Sequence, residues 1–342
     1  FHDYVRSGSW TETTLKNNSN DFQKISFRQR VAVDISNRTT KKSLLGVEYK
    51  MPVALAPVGS LGMQRADGEI LAAQAAEGFG VPFTLSTMSI CSIEEVARNT
   101  SKPFWFQLYV MRDHDFAKRL VERAKAAQCS ALVLTLDLQI LGQRHADIRN
   151  GLSIPLKIKL SNLFDLLSKP SWCYQMARTK NRTFGNVMGH VKDITNLNSL
   201  TKWVQDQFDT RLNWDDVKRI KDWWGGKLII KGIMDPDDAK MAQKCGADAL
   251  VVSNHGGRQL DGVNSSISTL PEIKKAVSNM EVLMDGGISS GQDILKAIAM
   301  GAEGVMIGRS FVYGLSAGGK EGVTKSLEIL NKELDMTMAL CG

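Results

Sequence analysis

Cys245-Gly246-Ala247-Asp248-Ala249-Leu250-Val251-Val252-Ser253-Asn254-His255-Gly256-Gly257-Arg258 runs from a helix end through an apolar strand into a polar loop. Gly246 suits the left-handed residue that ends a helix before the chain turns back. The near-continuous hydrophobicity that follows suits a parallel strand covered on both faces. The same hand-off recurs at Met300-Gly301-Ala302-Glu303 into Gly304. With this one, eight apolar runs fall at Val53–Pro57, Pro82–Ser86, Phe104–Tyr109, Ala131–Asp137, Leu228–Gly232, Ala249–Asn254, Val282–Gly286 and Gly304–Gly308. Stretches of helical period separate them, with a capping box at Ser92-Ile93-Glu94-Glu95 and a helix start at Asp235-Pro236-Asp237. Eight strand–helix units predict an α/β fold, a (β/α)8 TIM barrel. A doubly wound open sheet is the alternative, disfavoured because no Gly-x-Gly-x-x-Gly opens a helix after the first strand.

The period breaks once. Roughly 90 residues separate the fourth and fifth strands, more than a crossover helix needs. We therefore expect one domain over 1–342, with an N-terminal segment 1–50 serving as lid or plug and an insertion at roughly 145–222. Composition agrees with a globular chain: 342 residues, 43% hydrophobic and 23% charged. The five cysteines show no CxxC spacing, so neither a disulfide frame nor a metal site is expected, and a cytoplasmic setting is. No apolar stretch is long enough to span a membrane. The chain opens on Phe1, which leaves a targeting segment upstream an open question. Of the net charge of +7, an excess of +5 lies between Gly151 and Leu200, where seven basic residues face Asp165 and Asp193. Such a patch suits an anionic surface or plain solvation.

In barrels of this kind chemistry sits at the C-terminal strand ends. Those ends carry Gly59, Ser86, Gln107, Tyr109, Thr135, Asp137, Lys231, Ser253–Arg258, Asp285 and Arg309. A polar residue at one end is unremarkable; polar or glycine residues at all eight favour a site. A lone histidine is more often structural than catalytic. His255, however, directly follows a strand, has two glycines beside it for close ligand approach, and has the planar fork of Arg258 three residues on. A base and a carboxylate clamp in one loop suit proton abstraction from a hydroxy acid. Asp285-Gly286-Gly287-Ile288 after the seventh strand and Gly308-Arg309 after the eighth suit a phosphate cradle. Each is weak singly, since glycines also end strands for steric reasons; together they favour phosphate.

With these segments, Ala54–Gly59, Trp105–Val110 and Ser253–Asp261, the chain resembles the FMN-dependent 2-hydroxy acid dehydrogenase and oxidase family, and within it the bacterial respiratory L-lactate dehydrogenase branch. The likeness runs from the Phe1-His2-Asp3-Tyr4 start to the last helix and thins in the insertion. It implies oxidation of an L-2-hydroxy acid, lactate first, to the 2-oxo acid with bound FMN. It also implies roles. His255 is the base, oriented by Asp137; Arg258 and Arg144 bind the substrate carboxylate; Tyr4 and Tyr109 bond the reacting end. Lys231 stabilises negative charge at the flavin pyrimidine edge. Pro57, Val58, Gly59, Ser86, Gln107, Thr135 and Ser253 contact the ring and ribityl parts, while Asp285, Gly286, Gly287, Ile288, Gly308 and Arg309 lie on the phosphate side.

Two departures stand out. Ser289 replaces an arginine usual in relatives, and Asp137-Leu138-Gln139-Ile140 lacks the proline that often follows this aspartate. Relatives with alanine at the positions of Gly59 and Gly257 are usually oxidases, so the two glycines imply a dehydrogenase passing electrons to a quinone or cytochrome outside the chain. An oxygen-using oxidase and a non-catalytic FMN-binding barrel are the alternatives; the intact His255, Asp137 and two arginines disfavour the second. The resemblance further implies a homotetramer. Leu156, Leu160, Leu163, Phe164 and Leu167 share one helical face, with Lys157, Lys159 and Lys169 largely off it and Trp172 and Tyr174 following. This pattern, within 154–182, suits packing on the barrel or docking on an anionic membrane from the cytoplasmic side. No nucleic-acid partner is expected.

Overall fold

A computed structural model describes residues 2–150, 168–190 and 207–342. All eight apolar runs form parallel strands: Val53–Leu55, Thr84–Ser86, Trp105–Tyr109, Ala131–Thr135, Lys227–Ile233, Ala249–Val252, Glu281–Asp285 and Gly304–Ile307. Each pairs with its sequence neighbour, the eighth pairs with the first, and a parallel bridge between Leu55 and Phe83 closes the ring. The expected runs extend past the observed ends at Pro57, Asp137 and Asn254, because those residues have left the ladder to line the mouth. Closure leaves two apolar layers. Inside the barrel, Trp105, Val133, Ile229, Val251, Leu283 and Met306 are buried among small residues such as Ala54, Ala131 and Ala249. Large and small side chains alternate there because the tapering interior has no room for eight bulky ones.

The helices start and stop where side chains satisfy their free ends. Ser92 Oγ accepts from Glu95 N and Glu95 Oε2 accepts from Ser92 N, at 3.2 and 2.8 Å. Asp235 caps the helix Pro236–Lys244. Gly246 and Gly301 hold φ of 77° and 113°, the left-handed geometry expected after those helices.

The N-terminal segment reaches both ends of the barrel. A hairpin, Lys42–Leu44 with Val47–Tyr49, plugs the bottom of the barrel. Leu45 packs onto the inner core, and its N–H bonds both oxygens of Glu281. Upstream, the helices α1 (His2–Arg6) and α2 (Thr13–Asn20) lie at the opposite end, over the mouth. There Ser9 N donates to Gly257 O at 2.9 Å.

Of the insertion, 151–167 and 191–206 lie outside the described residues, so the amphipathic stripe Leu156–Leu167 is not placed. The crossover helix before the fifth strand is Trp214–Trp224. Trp172, expected at an interface, is half-buried in the helix Pro170–Arg178 and donates its indole N–H to Met63 O. Tyr174, Lys169, Arg178, Lys180 and Arg182 are exposed. Among the described residues no helix is long and apolar enough to cross a membrane.

Candidate active site

The chain leaves the sixth strand through a conformation that side chains resist. His255, Gly256 and Gly257 hold φ of 58°, 65° and 73° in succession. Glycine accepts this freely; histidine is held there at a cost of roughly 1–2 kcal/mol. The turn is locked by Asn254, whose carbonyl and Oδ1 both accept from Gly257 N. Asn254 is held in turn by a reciprocal amide pair with Asn18 of α2, 2.8 Å in both directions. A strained residue so thoroughly braced at a strand end points to function.

The brace aims His255 at Asp137, with Nδ1 and Oδ1 2.9 Å apart. Burial penalises the Asp137 charge, but the charges of His255 and Lys231 outweigh it and hold the carboxyl below its ordinary range. A carboxylate bonded to Nδ1 makes Nδ1 the protonated nitrogen and leaves Nε2 as the free base. Gly232, which the sequence offers only as the end of the fifth apolar run, makes this approach possible. It sits at φ 105° in a register shift of the fifth strand, and a Cβ there would lie 2.8 Å from the Asp137 side chain.

Lys231, just before that bulge, is buried, with Nζ 2.7 Å from Ser253 Oγ and 2.8 Å from Asp285 Oδ2. Burial opposes its charge, yet Asp285 and Asp137 together keep the ammonium's pKa above the usual lysine value. Around it the ladder registers bring Ser86 beside Gln107, Tyr109 beside Thr135, and Thr135 beside Lys231. Ser86 Oγ and Thr87 N both donate to Gln107 Oε1, so the amide nitrogen is the end left to face the mouth. Thr87, another residue missed in sequence, also bonds Gln107 O through its hydroxyl at 2.6 Å.

A second cluster is cationic. Arg258 and Arg144 stand 4.9 and 5.6 Å from the Tyr4 ring, brought to one mouth from the loops after the sixth and fourth strands. Burial and the neighbouring Arg144 charge push the Arg258 guanidinium's pKa down, which marks a place where an anion would be welcome. Asp147 only partly relieves it, 3.5 Å from Arg144. The two tyrosines diverge. Burial, then Asp137 and Tyr4, push the Tyr109 phenol up, so it stays a neutral donor. At Tyr4 burial is outweighed by Arg258 and Arg144, and its pKa falls.

The glycine segments are divided. A Cβ on Gly287 would strike Asn18 O at 2.0 Å, so that glycine admits α2, whereas Gly308 faces open space at the start of the helix Arg309–Cys341. Ser310 Oγ ties the two segments by donating to Ile288 O at 2.6 Å. Arg309 spends its fork on the carbonyls of Val5, Ser7 and Gly256. Ser289 bonds Asp293 through both its N–H and its hydroxyl. Pro57, Val58 and Gly59 line the mouth half-exposed.

Four buried polar atoms with no hydrogen-bond partner collect at these strand ends: Gln107 Nε2, Thr135 Oγ1, Asp137 Oδ2 and Asp285 Oδ1. Unsatisfied groups this concentrated mark a polar ligand. The edge of a flavin pyrimidine, with carbonyls flanking an N–H, suits the amide, hydroxyl and ammonium here. Among the described residues a cavity of about 500 Å³ opens at the barrel bottom, but its charged side chains are already engaged: Lys227 with Asp248, Lys274 with Glu303, and Glu281 with Leu45 N.

A family described as FMN-dependent dehydrogenase matches residues 1–342. An L-lactate dehydrogenase of Haemophilus influenzae (strain PittEE) is 46% identical over 342 residues, spanning 99% of this chain and 89% of the relative. One from Caulobacter sp. (strain K31) is 45% identical, spanning 99% and 90%. The crystal structure of the monotopic membrane protein (S)-mandelate dehydrogenase superposes with a TM-score of 0.94 at 34% identity, covering 99% of this chain and 90% of that one. The chain belongs to the FMN-dependent dehydrogenase family.

Proposed function

We propose that the protein oxidises L-lactate to pyruvate with FMN and passes the electrons to a quinone or cytochrome at a membrane. The observation that carries the reading is the His255–Asp137 pair and the Arg258–Arg144 pair around Tyr4, both close enough to Tyr109 to act on its phenol: a base and an anion site at one mouth. The clamp orients a 2-hydroxy acid by its carboxylate, and His255 Nε2 takes a proton from the reacting end. Tyr109 donates to that end as a neutral phenol. Lactate is favoured over mandelate because the lactate dehydrogenases share 45–46% identity and the mandelate enzyme 34%. When bound, FMN supplies the two-electron acceptor. Gln107, Thr135, Ser86, Ser253 and Lys231 would hold its ring, with Pro57–Gly59 alongside. Asp285, the Gly286–Ile288 and Gly308-Arg309 backbones, and the helix N-terminus after Gly308 would hold its polar tail and phosphate. Lys231, fixed by Asp285 and Ser253, would place its ammonium at the ring and favour negative charge there.

Ser289 removes one charge-assisted contact, worth about 1.5–3 kcal/mol where nothing replaces it. Ser289→Arg is therefore expected to slow FMN release, read as fluorescence regained on dilution. Equal release rates would show that the missing charge has been made good elsewhere.

The acceptor reading rests on Gly59. Gly257 does not discriminate, because a Cβ there would lie 2.6 Å from Leu15 backbone at a φ of 73°. At Gly59 a Cβ would meet Met88 O at 3.3 Å, a tight but tolerable contact. Steady-state turnover of a hydroxy-acid panel with oxygen or a quinone analogue is the test. Slow peroxide formation and fast quinone reduction are expected, and Gly59→Ala shifts the ratio toward oxygen. Rapid peroxide release by the unsubstituted protein would make it an oxidase.

We also propose a membrane site on the inner face of the cytoplasmic membrane, a reading supported by the exposed Tyr174, Lys169, Arg178, Lys180 and Arg182 and by the apolar stripe read in the sequence. A homotetramer is the expected assembly. Pelleting with anionic liposomes is expected to fall with salt, and again in Leu160→Ser, Phe164→Ser and Leu167→Ser. Protein that stays in the supernatant at every ionic strength would assign the segment to packing.

A further inference from the structure

Gln259 and Asp261 end the His255 loop, and the chemistry above uses neither. Both reach segments far away in sequence. Glu12, which precedes α2 at φ 62°, makes no side-chain bond to that helix; its Oε1 accepts from Gly8 N instead. The helix start would then be left with free N–H groups. Asp261 fills the gap from 247 residues away: Oδ1 accepts from Thr14 N at 2.8 Å, and Oδ2 from Thr11 N and Thr11 Oγ1 at 3.0 and 2.6 Å. A carboxylate at a helix N-terminus is also favoured by the helix dipole. The segment so held lies backbone to backbone with the loop. A Cβ on Gly8 would meet Gly257 O at 2.8 Å, and one on Gly257 would meet Leu15. Tyr4 enters the mouth from this segment, with its own carbonyl and that of Ser7 bonded by Arg258 Nη1 at 2.7 Å.

Gln259 reaches the other way. Its Nε2 donates to Asp137 O and Ile140 O at 2.9 and 2.8 Å, and its Oε1 accepts from Gly142 N at 3.0 Å. Asp137 is thus held twice, at its side chain by His255 and at its backbone by Gln259. A Cβ on Gly142 would lie 2.7 Å from Arg258 O, so the loop leading to Arg144 also runs directly against the His255 loop.

We propose that Gln259 and Asp261 are positioning residues, a two-armed clasp by which the His255 loop sets the N-terminal segment and the loop after the fourth strand around one substrate. Asp261 places Tyr4, and Gln259 places Asp137 and Arg144. The clasp rests on the reading of those residues as the substrate-binding set.

The test compares Asp261→Asn and Gln259→Glu in FMN-loaded protein. Asp261→Asn puts donors against donors. It is expected to raise the KM for L-lactate about tenfold with little change in kcat, and to expose the Thr11 and Thr14 amides to hydrogen exchange. Gln259→Glu sets a carboxylate against two carbonyls. It is expected to lower kcat about tenfold and displace the pH profile of flavin reduction, while Thr11 and Thr14 stay protected. Thr11→Val, which removes one bond from the other side, is expected to reproduce the Asp261 effect in weaker form. Unchanged exchange at Thr11 and Thr14 in Asp261→Asn overturns the clasp. So does the same KM and kcat loss in both variants, tracking FMN content, which is what a merely structural role produces. If no hydroxy acid reduces the unsubstituted protein, the site reading fails and the exchange result alone decides the clasp.

Discussion

His255→Gln will keep its FMN and reduce it with L-lactate about three orders of magnitude more slowly than the unsubstituted protein. The imidazole is braced at a left-handed φ of 58° with Nδ1 bonded to Asp137, which leaves Nε2 as the one basic atom of the pair presented to substrate. Glutamine fills similar space but takes no proton at neutral pH. FMN retention follows from where the ring-binding candidates sit, at Ser86, Gln107, Thr135, Lys231 and Ser253, on strand ends that His255 does not support. Ser253 Oγ keeps its bond from residue 255 through the backbone N–H, which the substitution leaves intact. Anaerobic rapid-mixing absorbance, with flavin content measured in parallel, separates the two effects. A near-normal reduction rate would move the base to another residue.

Arg258→Met will raise the KM for L-lactate and lower kcat together. The combined loss in kcat/KM should be on the order of 2–5 kcal/mol, the usual cost of truncating one partner of a buried charge pair. Both constants move because the side chain does two things. Nη1 is committed to the carbonyls of Tyr4 and Ser7, while Nε and Nη2 have no protein hydrogen bond among the described residues and are free for a carboxylate. Removing the fork therefore loses an anion contact and also releases the segment that carries Tyr4. Arg258→Lys restores the charge without the planar pair of donors and should recover only part of the loss. Full recovery by lysine would mean that net charge, and no directed carboxylate contact, is what the site requires.

How much of this was legible beforehand depends on whether partners are near in sequence. The eight strands were, because apolar runs between turn residues signal themselves locally, and so were the Ser92–Glu95 and Asp235 caps. The His255 loop was legible as a histidine, two glycines and an arginine after a strand. Its brace was not. Asn18 bonds Asn254 across 236 residues, and Gly232 matters only because Asp137 lies against it. Gly257 shows the opposite limit: its absence of a side chain invited a reading about the electron acceptor, and Leu15 supplies a steric reason instead. Trp172 looked interfacial by residue type, yet its indole N–H is spent on Met63 O. Residue type indicates which surface a side chain prefers; only the fold decides which one it meets.

On the proposed function, a base and an anion clamp on this barrel oxidise an L-2-hydroxy acid through bound FMN. Mixing the yellow protein anaerobically with L-lactate and following flavin absorbance tests it most directly. We expect bleaching within the mixing experiment, saturating with lactate, absent with D-lactate, and nearly abolished in His255→Gln. An oxidised spectrum that persists with L-lactate and with every other L-2-hydroxy acid in the panel would contradict the account.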